Sequence, residues 1–312
     1  MIKYAVKRVL MIVPIVLGVT LVLFLLLSSL STSSIITLPA YGSGDALDSV
    51  FKFFNAGDNL ITKYIRYCYN VFFHFDFGKN SATTRRLTEE LSYRVRNTLL
   101  ILLSGAAVTM LAGIPIGIYS AVRRNRAADR IFNVLSLIFS AIPNYAMATL
   151  LTLVFVVYIR VIPLFSIDYR SPVAYILPAL TIMLGGVASV SRMTRASMLE
   201  VLERPYITAL RSKGLKESAV IWKHALKNAV VPTIAVLGGL ISSLLCGTLV
   251  VEYFFNVPGL GSFMLKGVGL RDHFAILGCT IIMTVILSVI NTISDIIYAL
   301  VNPQIRLRYT HR

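Results

Sequence analysis

The stretch VLMIVPIVLGVTLVLFLLLSSL, residues 9–30, decides the class of fold. It runs 22 residues without a charged side chain. A helix rising 1.5 Å per residue covers the roughly 30 Å of a bilayer's hydrocarbon in about 20 residues. Five more uncharged runs follow, at residues 98–122, 131–159, 171–191, 228–251 and 274–294. None shows the period-two alternation of a barrel strand, and lipid offers backbone groups no water to bond with, so each run is expected to be helical. The expectation is an all-α, polytopic membrane protein with six transmembrane helices. Composition agrees: 14% of the chain is charged, against about 25% in a soluble domain. The first run is too long for a signal-peptide core, and no A-x-A-like site follows it. It reads as a retained helix.

Charge between the runs sets the expected orientation. With the N-terminus in the cytosol, the inner segments carry 18 of the 30 Lys and Arg. They include Lys3, Lys7 and Arg8, then Arg123, Arg124, Arg126 and Arg130, and eight cations in residues 192–227. Eight of the remaining twelve lie in one long outer segment, residues 31–97, and long loops count little in the positive-inside rule. Both termini are therefore expected inside. Nucleic-acid binding is disfavoured despite the net charge of +16, because the cations flank apolar runs and no interleaved stacking platform accompanies them. The chain divides into residues 1–30 (tail and first span), residues 31–97 (an extracytoplasmic segment rich in Phe and Tyr) and residues 98–312 (a five-helix core with a cytoplasmic loop at 192–227). The aromatics of the outer segment suit short helices at the membrane interface or a docking surface for an external partner.

The inner loop is the most informative stretch. From Glu203 it reads ERPYITALRSKGLKESAVIWKHALKNAVVP. Pro205 suits the first turn of a helix. Ile207 and Leu210 share one face, and Gly214 can end the helix in a left-handed conformation. A second amphipathic stretch with Ile221, Trp222 and Leu226 follows Glu217. Two short helices at an angle, offered to the cytosol, would make a docking element.

This loop resembles the cytoplasmic EAA loop of bacterial ABC-importer permeases in its peptide-transporter form. The resemblance rests on Lys213-Gly214-Leu215, the run from His224 to Asn228, and Pro232. It extends along the chain through Asp76-Phe77-Gly78 with Ser81, Gly113-Ile114-Pro115 with Gly117, Asp129, Ser140 with Pro143, Ile162-Pro163 and Leu177-Pro178-Ala179-Leu180. It continues at Arg192 and Arg195, at Val251-Glu252-Tyr253-Phe254, at Pro258-Gly259-Leu260-Gly261, and at Asn291, Asp295, Tyr298 and residues 302–306. Pro205, Thr208, Ala209, Leu210 and Asn302 depart from the usual pattern.

The resemblance implies a type I ABC importer permease fold in the cytoplasmic membrane. Its partners would be a homologous second permease (a heterodimer), two cytoplasmic ATPase subunits and an extracytoplasmic substrate-binding protein. The substrate would be a dipeptide or oligopeptide, or in some members a nickel chelate or glutathione. Tyr206, Ile207, Thr208, Ala209, Leu210, Arg211, Lys213, Gly214 and Leu215 would couple to the ATPase. There is no P-loop, no nucleophile motif and no metal-ligand spacing among the three Cys and four His, so no catalytic residue, cofactor or metal is expected.

The polar residues Ser140, Asn144, Thr181, Ser189 and Asn291 are pore-lining candidates, although helix-packing hydrogen bonds would explain them as well. Asp295 is the only carboxylate that could serve a proton-coupled secondary transporter. A structural pairing with Arg192 or Arg195 is the plainer expectation. The orientation has a direct test. In a chain lacking Cys68, Cys246 and Cys279, a cysteine at Ser212 should react with an impermeant maleimide only after the membrane is opened. Labelling in sealed cells would reverse the topology.

Overall fold

The computed structural model describes residues 2–34, 59–80, 83, 85–162, 169 and 171–301. Among them the elements are helical apart from one isolated bridge between Lys79 and Arg86. Ser81, Pro163 and residues 302–306 of the motifs lie outside the described residues. The helices are α1 (Ile2–Leu10), α2 (Ile12–Ser34), α3 (Leu60–His74), α4 (Leu87–Val122), α5 (Ala127–Ala141), α6 (Asn144–Thr152) and α7 (Ile176–Leu202). They continue as α8 (Pro205–Ser212), α9 (Glu217–Ala219), α10 (Leu226–Phe254), α11 (Leu260–Leu270) and α12 (His273–Val301). Among the described residues, five stretches are long and apolar enough to cross a membrane: Val6–Ser29, Leu87–Val122, Pro172–Leu202, Glu217–Phe254 and His273–Val301. A bent pair makes a sixth if it counts as one span.

That bent pair modifies the expectation of a straight helix over residues 131–159. α5 and the helix running from Asn144 to Tyr158 meet at 106°. The cause is local. Pro143 disfavours the helical region for the residue before it, and Ile142 is extended, at φ −78° and ψ 123°. Pro143 then caps α6, its carbonyl accepting from Met147 N at 3.0 Å. Hydropathy is unchanged by the bend, so the sequence run looks continuous while the chain turns.

The described residues fall into two compact units. One is built on Val6–Leu99 with Asn256–Val289. Its core joins Phe24 of α2, Tyr67 and Val71 of α3, Leu87 and Leu91 of α4, Leu260 and Phe263 of α11, and Phe274 and Leu277 of α12. The Pro258-Gly259-Leu260-Gly261 turn is pinned here. Asn97 donates to the Pro258 carbonyl at 2.9 Å, and Leu260 N donates to Thr98 Oγ1 at 2.9 Å.

The other unit is built on Leu100–Phe255 with α12 from Ile290 onward. α7 is its central helix, buried at positions from Leu177 to Val201. α4 approaches α7 almost backbone to backbone. A Cβ built on Gly117 would lie 2.6 Å from the Ser191 carbonyl oxygen and 2.7 Å from Thr194 Cβ. On Gly113 it would lie 2.8 Å from Val190 Cβ. The G-x-x-x-G spacing is thus used for close helix packing, as such spacing is in membranes.

Gly117→Leu should therefore force the two helices apart and lower stability, by about 1–3 kcal/mol on overpacking grounds. Gly239 has nothing within 4 Å of its missing Cβ. Gly239→Ala should leave stability unchanged or raise it by up to about 1 kcal/mol. Unfolding of the reconstituted protein measures both, and equal effects would contradict the packing described.

Candidate functional site: the loop between α7 and α10

The loop begins as α7 ends at Leu202. Arg204 is extended, at φ −72° and ψ 143°, and Pro205 takes the first position of α8, where its missing N–H costs nothing. α8 closes at Gly214, which has φ +78°, as its position in the sequence predicts. Gly214 N donates to the Arg211 carbonyl at 2.9 Å and Leu215 N to the Leu210 carbonyl at 3.4 Å. These are the two bonds of a Schellman motif. Leu210 and Leu215 pack against the same apolar cluster, which supplies the hydrophobic contact that accompanies such a cap.

The faces of α8 differ sharply. Ile207 is 0% exposed. It packs with Ile118 and Ala121 of α4, Met198 and Val201 of α7, and Val220, Ile221, Ala225 and Ala229 beyond the loop. Tyr206 and Leu210 are half-buried against the same cluster. Pro205, Thr208, Ala209, Arg211, Ser212, Lys213 and Gly214 are exposed. Of the residues expected to couple, Tyr206, Ile207, Leu210 and Leu215 turn toward this cluster. These apolar residues face the chain's own core, because burying them there removes them from water without a partner.

The second amphipathic stretch is not a separate helix. α9 runs through a π-helical turn, Val220–Ala225, directly into α10. Val220, Ile221 and Ala225 are buried, whereas Trp222 is 56% exposed. Asn228 donates to Tyr206 Oη at 2.9 Å. Arg211 donates two bonds to Glu217, at 2.6 and 3.1 Å. That carboxylate raises the pKa of the Arg211 guanidinium. The pair is about half exposed and so contributes at most about 1 kcal/mol.

Upstream of the loop, a polar seam joins α5 to α7. Arg195 of α7 donates to both carboxylate oxygens of Asp129 at 2.7 and 2.8 Å. Asp129 is 2% exposed. It also accepts from Ser120 Oγ, from Asn125 N at 3.0 Å and from Asn133 Nδ2 at 2.9 Å. Arg192 donates to the Ser136 carbonyl at 2.7 Å and to Ser140 Oγ at 2.8 Å, and Ser136 and Ser191 hydroxyls meet at 3.2 Å. Arg195 is therefore engaged by Asp129, not by Asp295. Arg192 is held by Ser136 and Ser140. Asp129, Asn133 and Ser120 were missed as site residues. The signal was present: Asp129, Asn133, Ser136 and Ser140 fall at i, i+4, i+7 and i+11, a polar stripe along an apolar helix.

The pore-lining candidates lie on four helices, α5, α6, α7 and α12. Ser140 belongs to this seam. Thr181 is 1% exposed and donates to the Leu177 carbonyl of its own helix. Ser189 donates to the Gly185 carbonyl at 3.0 Å. Asn291 bridges to Ser242 Oγ at 3.2 Å. Asn144 is half-buried beside Gly247.

Apolar spans, a bent helix pair and a helical loop anchored to the span before it define a polytopic membrane protein. The chain belongs to the family described as binding-protein-dependent transport system inner membrane components, whose model matches residues 113–307. It is 31% identical to the dipeptide transport system permease protein DppB of Bacillus subtilis, over 98% of this chain and 99% of that one. It is 32% identical to the oligopeptide transport system permease protein AppB of the same organism, over 98% and 99%. It is also 32% identical to the glutathione transport system permease protein GsiC of Salmonella paratyphi A, over 99% and 100%. Its fold is similar to a chain of the methionine ABC transporter MetNI in an inward-facing form, with TM-score 0.58, 17% identity, and coverage of 69% of this chain and 98% of that one.

Asp129→Ala should leave Arg195 without its counter-charge in a confined site. Breaking one side of a buried pair costs about 3–5 kcal/mol, and the partial exposure of Arg195 places the expectation at about 3 kcal/mol. The reversed pair, Asp129→Arg with Arg195→Asp, should recover part of that loss. Unfolding of the reconstituted variants checks this, and an unchanged stability for Asp129→Ala would remove the seam's structural role.

Proposed function

We propose that this chain is the pore-forming permease subunit of an ATP-driven importer of small peptides, with both termini in the cytosol. The observation that carries the proposal is α8: a short helix with one face locked into the chain's own core and the other exposed. A helix held this way can accept a push from a partner without unfolding. In this reading the partners are two cytoplasmic ATPase subunits beneath α8, a homologous second permease beside the spans, and a binding protein on the outer side. ATP binding closes the ATPase pair, and the docked helices move with it. The spans then open outward to receive substrate, and hydrolysis resets them. The chain contributes the path and the coupling, and the ATPase subunits carry out hydrolysis.

A dipeptide or oligopeptide substrate accords with the names of the two Bacillus relatives. Glutathione, itself a small peptide, is the second reading, and it is favoured by the Salmonella relative. Neither reading assigns a substrate contact within the spans.

The division of α8 makes the proposal testable. Ala209→Arg, on the exposed face, should leave the spans folded and inserted while lowering peptide-stimulated ATP hydrolysis and uptake at least several-fold in proteoliposomes of the full complex. Ile207→Asp, by contrast, should destabilise the permease itself. Gly214→Val forces a β-branched residue to φ near +78°, a strain of about 1–3 kcal/mol. It should uncouple hydrolysis from uptake or release the ATPase. Wild-type hydrolysis and uptake in both Ala209→Arg and Gly214→Val would mean that this loop is not the coupling element.

A further inference from the structure

α3 has two apolar faces, and only one of them is covered within the chain. On the inner face Tyr67 and Val71 are buried, at 3% and 2% exposure, and Tyr64 is half-buried. On the opposite face Ile61, Ile65, Tyr69 and Phe73 recur every four residues, at 71, 61, 54 and 73% exposure. An exposed apolar stripe opposite a packed face needs a second apolar surrounding to remove it from water.

The contacts of α3 set its level. Tyr64 donates to the Leu17 carbonyl at 2.6 Å and shares a hydrogen bond with Thr20 Oγ1 at 3.1 Å. Phe24 packs against Tyr64 and Tyr67 with ring centroids 5.6 and 6.4 Å apart. Leu17, Thr20 and Phe24 lie in the interior of the first apolar run, not at its end. The neighbouring surface of α2 at this level is itself apolar and open, with Val19, Val22 and Leu26 exposed.

We infer that α3 is immersed in the bilayer beside the first span, and that the stripe Ile61–Ile65–Tyr69–Phe73 is covered by lipid acyl chains. Residues 60–74 are then a short membrane-embedded helix inside the segment that hydropathy assigns wholly to the outside. The cations of α3 are compatible with this placement. Lys63 is on the buried face, 5% exposed. Arg66 lies at the edge of the stripe, where a long stem can carry its head toward water. Both have partners within the chain. Fifteen residues give a helix of about 22 Å, short of a full crossing, so the helix enters the bilayer without spanning it.

The test uses the assembled transporter in liposomes, with the three native cysteines replaced and a spin label placed in turn at Ile61, Ile65, Tyr69 and Tyr67. Oxygen, which concentrates in hydrocarbon, should relax the labels at 61, 65 and 69 several-fold more than a water-soluble nickel chelate does. The label at 67 should be shielded from both. Strong relaxation by the chelate at 61 and 65 would place the stripe in water and overturn the inference. Shielding from both reagents at those positions would place it under another protein chain, and would overturn it equally. A second measurement avoids the labels. In a Trp222→Phe background, Ile65→Trp should be quenched by lipids brominated along their acyl chains. Unquenched emission counts against immersion. Because neither readout depends on substrate or ATPase, failure here leaves the importer reading intact.

Discussion

The close approach of α4 to α7 at Gly117 is the constraint on which the surroundings of the loop depend. With no side chain between the backbones, the corner that follows α4 is carried to the flank of α7. Asn125 turns that corner at φ 65°, a conformation Asn tolerates better than most residues. Its N–H is taken up by Asp129, and Asp129 in turn receives the Arg195 fork. A bulkier residue at 117 would move α4 outward and draw Asp129 from its reach. The ion pair is therefore a consequence of the glycine contact as much as a cause of the packing. In a membrane, where helices gain little from hiding apolar surface from lipid, such packing and interhelical hydrogen bonds do the holding.

That anchoring gives the loop its character. Apolar side chains in an exposed loop would otherwise cost free energy in water. Here Ile207 is absorbed by a cluster made from α4, α7 and the start of the α9–α10 helix. The loop is thus an extension of the helical core. What α8 leaves exposed is Thr208, Ala209, Arg211, Ser212 and Lys213, with Pro205 at one end and Gly214 at the other. The small side chains of Thr208, Ala209 and Ser212 allow another surface to come close to the helix backbone, and the stiff proline and the Schellman closure fix where that face points.

Much of this was legible in the sequence, and the parts that were not share a physical reason. The apolar runs gave the spans because hydropathy reports how much of a segment avoids water. It does not report direction. Residues 131–159 therefore read as one helix although Pro143 turns the chain through 106°. The Ile142-Pro143 pair was the available signal. Likewise Ile207 and Leu210 were correctly placed on one face, but the pattern could not say whether that face met the chain itself or a partner. Arg195 was expected to pair with Asp295 and is held by Asp129 instead, because an arginine's place in the sequence does not say which helix its side chain meets. Residues 31–97 read as outside because no long uncharged run falls within them, while Tyr64 is bonded to Leu17, inside the first apolar run.

The same geometry bears on how force would pass through the chain. α8 is tied at both ends and along one side. Its start follows α7 after two residues, its end is closed by Gly214 and Leu215, and Tyr206 is bonded from Asn228 of α10. No flexible segment lies between α8 and the span before it. In the proposed reading, a displacement of α8 would reach Met198 and Val201 of α7 through Ile207, and α5 from α7 through Arg195 and Arg192. The bent pair α5–α6 would then receive it near the Arg192–Ser140 contact, three residues before Pro143. A helix that bends at a proline can change its angle there with few backbone hydrogen bonds to break. The seam that ties α5 to α7 thus also links the neighbourhood of α8 to the turn between α5 and α6.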